Sequence, residues 1–458
     1  MNDWVKAVVI FAGYFIVAPL LGRGLSRSRT FERAALCLLV FMPSWAPNML
    51  TLMLDSEEWY RGHTKGFEAS LIEMVAVALM VCAAFRRDHQ IRWLPPGAWL
   101  YLVYCGLSCM SLFPALNTVF ALMAAVKFTK VFLLFIAAFL AFRDQEDLRW
   151  VLRTLAFALM LQALVALKMR LLDGRWQVHG WFEHQNPMAM WAYFCALPLL
   201  SVALAPATSR RDTGILLAGV GAAALLILLT VSRASLAAFT AGGLVVIVLA
   251  ALRGVTMKLV SILAIVAIAG LAAGMLALNS LRARVQEVSE HDEEQDLRAV
   301  LIEQSGAMLR DHPFGVGWNN FGIANSLPQG QYAQIMMDWD ESRGFHIYED
   351  NYYANPLTES WYWLVLAETG YFGFAGLVVF LAVTLRWGGR TLIAFWRTPT
   401  GYFVAGLLVV LALTYLHGTV ERVLTQTKNL SLWLIFLGFL ARIELCRRRG
   451  ADLTEGSS

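Results

Sequence analysis

The chain is short of charge. Of its 458 residues only 15% are Asp, Glu, Lys or Arg, while 58% are hydrophobic and the mean hydropathy is +0.58. Soluble domains carry roughly 25% charged and 45–50% apolar residues, so this composition excludes a soluble enzyme and indicates an integral membrane protein. Cysteine is scarce as well. The six present (Cys37, Cys82, Cys105, Cys109, Cys195 and Cys446) lie in apolar runs or the C-terminal tail. They support neither a disulfide framework nor a CxxC metal site. No Walker loop, HExxH motif or dinucleotide glycine motif occurs, which argues against nucleotide use and zinc chemistry, and no cofactor is expected. Long polar segments are also missing, with one exception: the acidic stretch from Leu281 to Glu359.

What the chain has in abundance is apolar runs. Stretches near the roughly 17–25 residues needed to cross a bilayer lie over 3–20, 34–53, 69–85, 97–113, 118–142, 151–170, 187–206, 213–231, 234–252, 259–279, 361–385, 401–416 and 428–443. The expected fold is therefore an all-α integral membrane protein of about 12–14 transmembrane helices with one large helical outer loop. Ten helices fall within 1–280, the loop spans 281–359, further helices fill 360–445, and 446–458 form a tail. The first span serves as a signal anchor without a cleaved leader.

Charge orients these spans. Alternate connections hold Arg23, Arg27, Arg29 and Arg33; Arg86, Arg87 and Arg92; Arg143 and Arg149; Arg210 and Arg211; Arg253 and Lys258; Arg386, Arg390 and Arg397; and Arg442 with Arg447 to Arg449. The positive-inside rule puts this set in the cytoplasm and the Leu281–Glu359 loop outside. That loop carries 14 Asp and Glu against 5 Arg, a net charge of −9. The Arg447–Gly450 stretch beside the last helix is a topology anchor rather than a nucleic-acid contact.

Seven of the eight histidines (His63, His179, His184, His291, His312, His346 and His417) fall on the outer side, and only His89 falls inside. Histidine titrates near neutrality, so the asymmetry points to an outward site, although aqueous loops also simply hold more polar residues. Lys127 and Lys130 lie inside an apolar run, three residues apart and hence on one helical face. A lysine at mid-span costs roughly 2.5–3.5 kcal/mol, so the pair calls for an anion. A bound phosphate, a charge pair with another helix, a water-filled cavity or snorkelling toward an interface would each serve. Arg233, in Leu228–Leu236, opens a span at the outer surface against the positive-inside trend, and its guanidinium suits bidentate phosphate binding. Arg298 lies on an amphipathic helix of the outer loop, where an intrahelical partner such as Glu294 or Glu303 is the plainer reading.

Four segments together resemble the O-antigen ligase and polymerase superfamily of bacterial envelope enzymes. Gly180–Trp191 (GWFEHQNPMAMW) is similar to its Gly–aromatic–Asn start of a span, and Leu229–Phe239 (LTVSRASLAAF) to its Ser-Arg motif. Ala307–Phe321 (AMLRDHPFGVGWNNF), with Arg298 before it, resembles its Arg helix and HP-x-GxG-xNF segment. Ser360–Phe374 (SWYWLVLAETGYFGF) resembles its Leu-Ala-Glu-x-Gly helix. The resemblance covers residues 120–440, whereas the first hundred residues share only hydropathy. It implies a C-type membrane glycosyltransferase fold and a metal- and nucleotide-independent activity at the periplasmic side of the inner membrane. The donor would be a glycan on undecaprenyl diphosphate and the acceptor another glycan. The expected partners are these substrates, membrane lipids, and a flippase and chain-length regulator of the same pathway, with no nucleic acid.

Without a metal, a departing diphosphate needs fixed positive charge. Arg233 and Arg298 match the family's arginines. Lys127, Lys130, Arg175, His184 and His346 complete the candidate substrate-binding set. Ligases of the family carry a His-Asn pair nine residues before the Glu of the last motif, the His activating the acceptor hydroxyl. Counting back from Glu368 gives Glu359-Ser360, so Glu359 becomes the candidate base and the reading shifts from ligase to polymerase. His312 is a second catalytic candidate or a residue that ties the His-Pro turn. Asn186 is expected to cap the span beginning at Pro187. Trp318, Phe321, Tyr332, Trp339, Tyr348, Tyr352 and Tyr353 are suited to sugar stacking or to a membrane-interface belt. A flippase, the rival from another class, should show paired halves with broken helices, and no such repeat is visible.

Overall fold

The computed structural model describes residues 2–45, 51–60, 62–86, 92–264, 293–326, 330–343 and 357–453. Among these, nine helices are long and apolar enough to cross a membrane: Asp3–Leu25, Thr118–Ala141, Gln145–Leu171, Gln185–Ala203, Arg210–Thr230, Arg233–Arg253, Trp361–Ala394, Pro399–His417 and Thr427–Arg448. Leu71–Phe85 and Ala98–Leu112 are shorter apolar helices. The protein is thus an all-α integral membrane protein, as its hydropathy demands: a spanning helix satisfies every backbone donor and acceptor within itself. Side-chain caps close several helix starts. Asn2 accepts from the Trp4 N–H, Asn117 from those of Val119 and Phe120, and Ser209 from that of Asp212.

Two expectations are modified. The run over 34–53 is not one span: a helix covers Arg29–Phe41, Met42–Ser44 form a single 3-10 turn, and Thr51–Leu54 is a β-strand. Pro43 has no N–H to continue the helix, which a hydropathy average does not register. The strand pairs antiparallel with Phe67–Ser70, Thr51 opposite Ser70 and Leu54 opposite Phe67. The cap before Pro187 is His184 rather than Asn186. His184 has extended backbone, and its Nδ1 accepts from the Asn186 N–H at 3.3 Å. The span over 259–279 lies mostly outside the described residues.

The chain forms two compact units. The first comprises Met1–Thr154, Val300–Trp387 and Tyr415–Ser458. Its centre is the Thr427–Arg448 helix, which is buried on all sides, as expected of a helix apolar all round. Trp433 of that helix meets the rings of Tyr101, Trp361 and Phe380 edge-on, and Phe439 packs on Phe142 at 4.6 Å. At one end of this unit the arginines of the positive-inside set are fastened to carboxylates. Arg29 and Arg33 both bind Asp147, while Glu32 takes Arg29 at 2.7 Å and Arg86 at 2.7 Å.

The second unit comprises Leu155–Ala299 and Gly388–Thr414. Gln185–Ala203 is its buried helix, and Ser201 donates to the Tyr402 carbonyl at 2.5 Å. Arg253 lies over the rings of Trp396 and Tyr402 at 4.5 and 4.1 Å and donates to the Gly401 carbonyl.

Candidate functional site

In the first unit, the Asp311–Phe321 segment interlocks with a break in the Trp361–Ala394 helix. Gly370 there has φ +65° and ψ −168°, far from helical values. In an unbroken helix the Tyr371 N–H would donate to the Ala367 carbonyl. Instead Tyr371 donates to the Pro313 carbonyl at 3.1 Å, and the Ala367 carbonyl accepts from the Val316 N–H at 2.9 Å. The Glu368 carbonyl likewise accepts from the Gly317 N–H at 3.2 Å. The turn therefore supplies the hydrogen bonds that the break forfeits. Glycine is required for this approach. A Cβ on Gly315, whose φ is +88°, would lie 2.2 Å from the Glu368 carbonyl oxygen, and one on Gly370 would lie 2.2 Å from that of Pro313.

Side chains complete the lock. Phe314 stacks on Phe372 at 5.4 Å, and buried Trp318 stacks on Phe128 at 4.7 Å. Asn319 adopts φ +62°, a conformation Asn tolerates better than most residues. Its Oδ1 accepts from the His63 N–H at 2.6 Å, and its Nδ2 donates to the carbonyls of Thr64 and Phe120. Asn320 brackets Asn117, accepting from its N–H at 2.6 Å and donating to its carbonyl at 3.1 Å. The Glu368 carboxylate closes the network: one oxygen lies 2.5 Å from His63 Nε2, and the other accepts from the Phe321 N–H at 3.2 Å.

Beneath the turn sit the two lysines of the Thr118–Lys130 helix. Lys127 donates to the His63 carbonyl at 2.5 Å and lies 3.6 Å from Glu68. Lys130 lies 2.9 Å from Glu73 and donates to the Glu68 carbonyl. Glu73 also accepts from the Tyr14 hydroxyl and the Ser70 N–H. This is the charge-pair alternative the sequence left open for these lysines. Burial alone would push the Glu68 carboxyl up, but Lys127 and Lys130 more than offset it and hold it below its usual range.

The remaining candidates are distributed as follows. His312 ends the Glu293–Asp311 helix and accepts from the Gly315 N–H through its carbonyl, while its buried Nε2 has no hydrogen-bond partner among the described residues. Its neighbour Asp311 accepts from the Tyr332 hydroxyl at 2.9 Å, and burial together with that carboxylate holds the Tyr332 hydroxyl well above its usual range. Glu359 is half-buried two residues before the Trp361–Ala394 helix. His346 lies outside the described residues.

Arg233, Arg298, Arg175 and His184 belong to the second unit. Arg233 is exposed as the first residue of the Arg233–Arg253 helix. The preceding Val231 has φ +56°, an outlier for a β-branched residue, which lets two long helices meet across a two-residue turn. An arginine at the N-terminal end of a long helix combines a guanidinium with backbone N–H groups and the positive end of the helix dipole, a site suited to an anion. Arg298 is half-buried in the Glu293–Asp311 helix. Arg175 lies 2.8 Å from His179 Nε2, whose Nδ1 lies 2.6 Å from the Phe182 carbonyl, while His184 is occupied as a helix cap. Among the described residues, no group of three or more His, Cys, Asp and Glu is placed to hold a metal ion.

The sequence singles out neither Glu68 nor Glu73, places His63 only among the outer-side histidines, and holds Asn319 and Glu368 within motifs without a role for either. Glu73 carried a usable signal, because a carboxylate inside an apolar run needs a cation and Lys127 and Lys130 needed an anion. His63 carried none.

The O-antigen ligase family model matches residues 218–378. This match supports the O-antigen ligase and polymerase superfamily and, broadly, a ligase- or polymerase-type function. Arg233, Arg298, His312, Glu359 and Glu368 fall inside the matched segment; Lys127, Lys130, Arg175, His184 and His63 fall outside it. No curated protein matches the chain.

Proposed function

For a chain carrying the O-antigen ligase domain, we propose a polymerase that moves a glycan from undecaprenyl diphosphate to a second glycan at the periplasmic face of the inner membrane, without metal or nucleotide. The acceptor hydroxyl oxygen forms a bond to the donor's anomeric carbon while Glu359 takes its proton. The anomeric carbon–oxygen bond to the diphosphate breaks, and polyprenyl diphosphate leaves with the electron pair. Arg233 and Arg298 stabilise the charge that develops there. Lys127 and Lys130, already matched by Glu68 and Glu73, are given no direct contact with the diphosphate.

The observation that carries this reading is Arg233, exposed at the start of a long helix within the family segment. A carboxylate at position 359, where ligases of the family carry histidine, favours the polymerase. The description of the matched family favours the second reading, a ligase that delivers the glycan to lipid A core or to a protein. Purified protein incubated with lipid-linked repeat units separates the two. A ladder of products marks a polymerase, a single shift that needs added lipid A core marks a ligase, and no transfer under either condition sinks both.

A further inference from the structure

We propose that His63, contributed by the N-terminal part of the chain outside the family-matched segment, is a positioning residue for glycan transfer, acting through Glu368 on the 311–321 turn. The inference rests on the reading of that segment as a glycosyl-transfer site. Lys127 and Lys130 are matched by Glu68 and Glu73, which leaves Glu368 as the odd carboxylate of the cluster. Its side chain is 1% exposed and that of His63 is 3% exposed, with 2.5 Å between Nε2 and Oε2. A buried carboxylate without such a partner would be strongly unfavourable, so the pair is an obligatory contact rather than a surface one.

His63 is held from three further sides. Its N–H donates to Asn319, its carbonyl accepts from Lys127, and its ring meets the edge of Phe128, which itself stacks on Trp318. Both members of the pair thus grip the same turn: Glu368 through the N–H groups of Gly317 and Phe321, His63 through Asn319. Near the start of the turn lies His312, whose buried Nε2 has no hydrogen-bond partner among the described residues. Shifting the turn by about 1 Å would displace these groups, and misplacement of that size costs on the order of 10²-fold in rate without removing a binding contact.

The test uses the full-length protein with lipid-linked repeat units. His63→Ala should lower kcat by about 10- to 100-fold and leave KM for the donor within about threefold. His63→Gln, whose amide can still donate to Glu368, should recover most of the loss, and Glu368→Ala should resemble His63→Ala. The double variant should be no slower than the slower single one, because both act through one contact. In parallel, amide hydrogen exchange over 313–321 should speed up in His63→Ala and not in His63→Gln. Should His63→Ala fail to accumulate in the membrane, His63→Leu against His63→Gln carries the comparison. A kcat within twofold of wild type, or rate losses that multiply in the double variant, overturns the inference. If wild-type protein transfers nothing, the functional reading fails instead. The exchange measurement then decides alone, unchanged exchange counting against His63.

Discussion

Two ionic clusters in the first unit use opposite chemistry. One gathers Arg29, Arg33, Arg86 and Arg143 around Glu32, Asp144 and Asp147, with every cation still partly in contact with the surface. Guanidinium suits this place: it is always charged, weakly hydrated and able to bridge several carboxylates at once. The other gathers His63, Lys127 and Lys130 around Glu68, Glu73 and Glu368, and of these only Lys130 has more than 8% of its side chain exposed. Single-point ammonium groups there also satisfy backbone carbonyls, those of His63 and Glu68, so the cluster ties a strand and a turn to a helix as well as balancing charge. The difference teaches where ligand-directed charge is to be sought. Both clusters are matched internally; Arg233 lies outside them, exposed at a helix start. A charge buried in a membrane protein is first a structural element; the phosphate-binding candidates are the arginines of the family segment.

Substitutions sharpen this contrast. The largest effect is expected at Glu359, as the proposed base. Glu359→Gln keeps shape and hydrogen bonding but loses the proton acceptor, and should cost on the order of 10²–10⁴-fold in turnover at saturating donor and acceptor. A loss below threefold would leave Glu359 as a helix-start residue and send the search for the base to His312. Next in size is the interior cluster. Lys130→Met leaves Glu73 buried and should destabilise the protein by about 3–5 kcal/mol, read as a fall in thermal midpoint in detergent. Adding Glu73→Leu should restore most of it, because an apolar pair replaces an ion pair at little cost. If the double variant is no better than the single one, the pair is not the reason Lys130 is tolerated.

How far the sequence reaches also differs between regions. The spanning helices were legible because a continuous apolar run leaves the backbone no other way to satisfy itself. The Thr51–Leu54 strand was not: four residues inside an apolar stretch carry no periodicity, and Pro43 ends the helix in a way a hydropathy average cannot see. Arg233 could be singled out because it broke the positive-inside pattern, and Lys127 and Lys130 because charge is costly in an apolar run. Their actual partners could not be named. His63 and Glu368 lie 305 positions apart, and nothing local to either announces the other.

Smaller effects test the electrostatics. The depressed Glu68 carboxyl contributes stability that is complete above its ordinary value of 4.5 and is lost as pH falls through its lower folded value. Thermal midpoints of wild type and Glu68→Gln should therefore converge as pH drops below 4.5, and a constant gap would contradict the lysine pairing. Smallest of all is Tyr332→Phe, which removes one hydrogen bond to Asp311 and should cost about 0.5–1.5 kcal/mol of stability. A larger loss would show that the Asp311 contact does more than fasten one helix to another.

The most direct test of the account compares the two kinds of charge in one experiment. Initial rates of glycan transfer from the undecaprenyl-diphosphate-linked donor are measured for wild type, Arg233→Ala, Arg233→Lys and the Lys130→Met/Glu73→Leu double variant, each as folded membrane protein. The account predicts near-abolition in Arg233→Ala and poor rescue by Lys, since a point charge lacks bidentate geometry, with the double variant within a few-fold of wild type. Undiminished transfer by Arg233→Ala, together with loss in the double variant, would contradict it by placing the diphosphate on the interior lysine rather than on the exposed arginine.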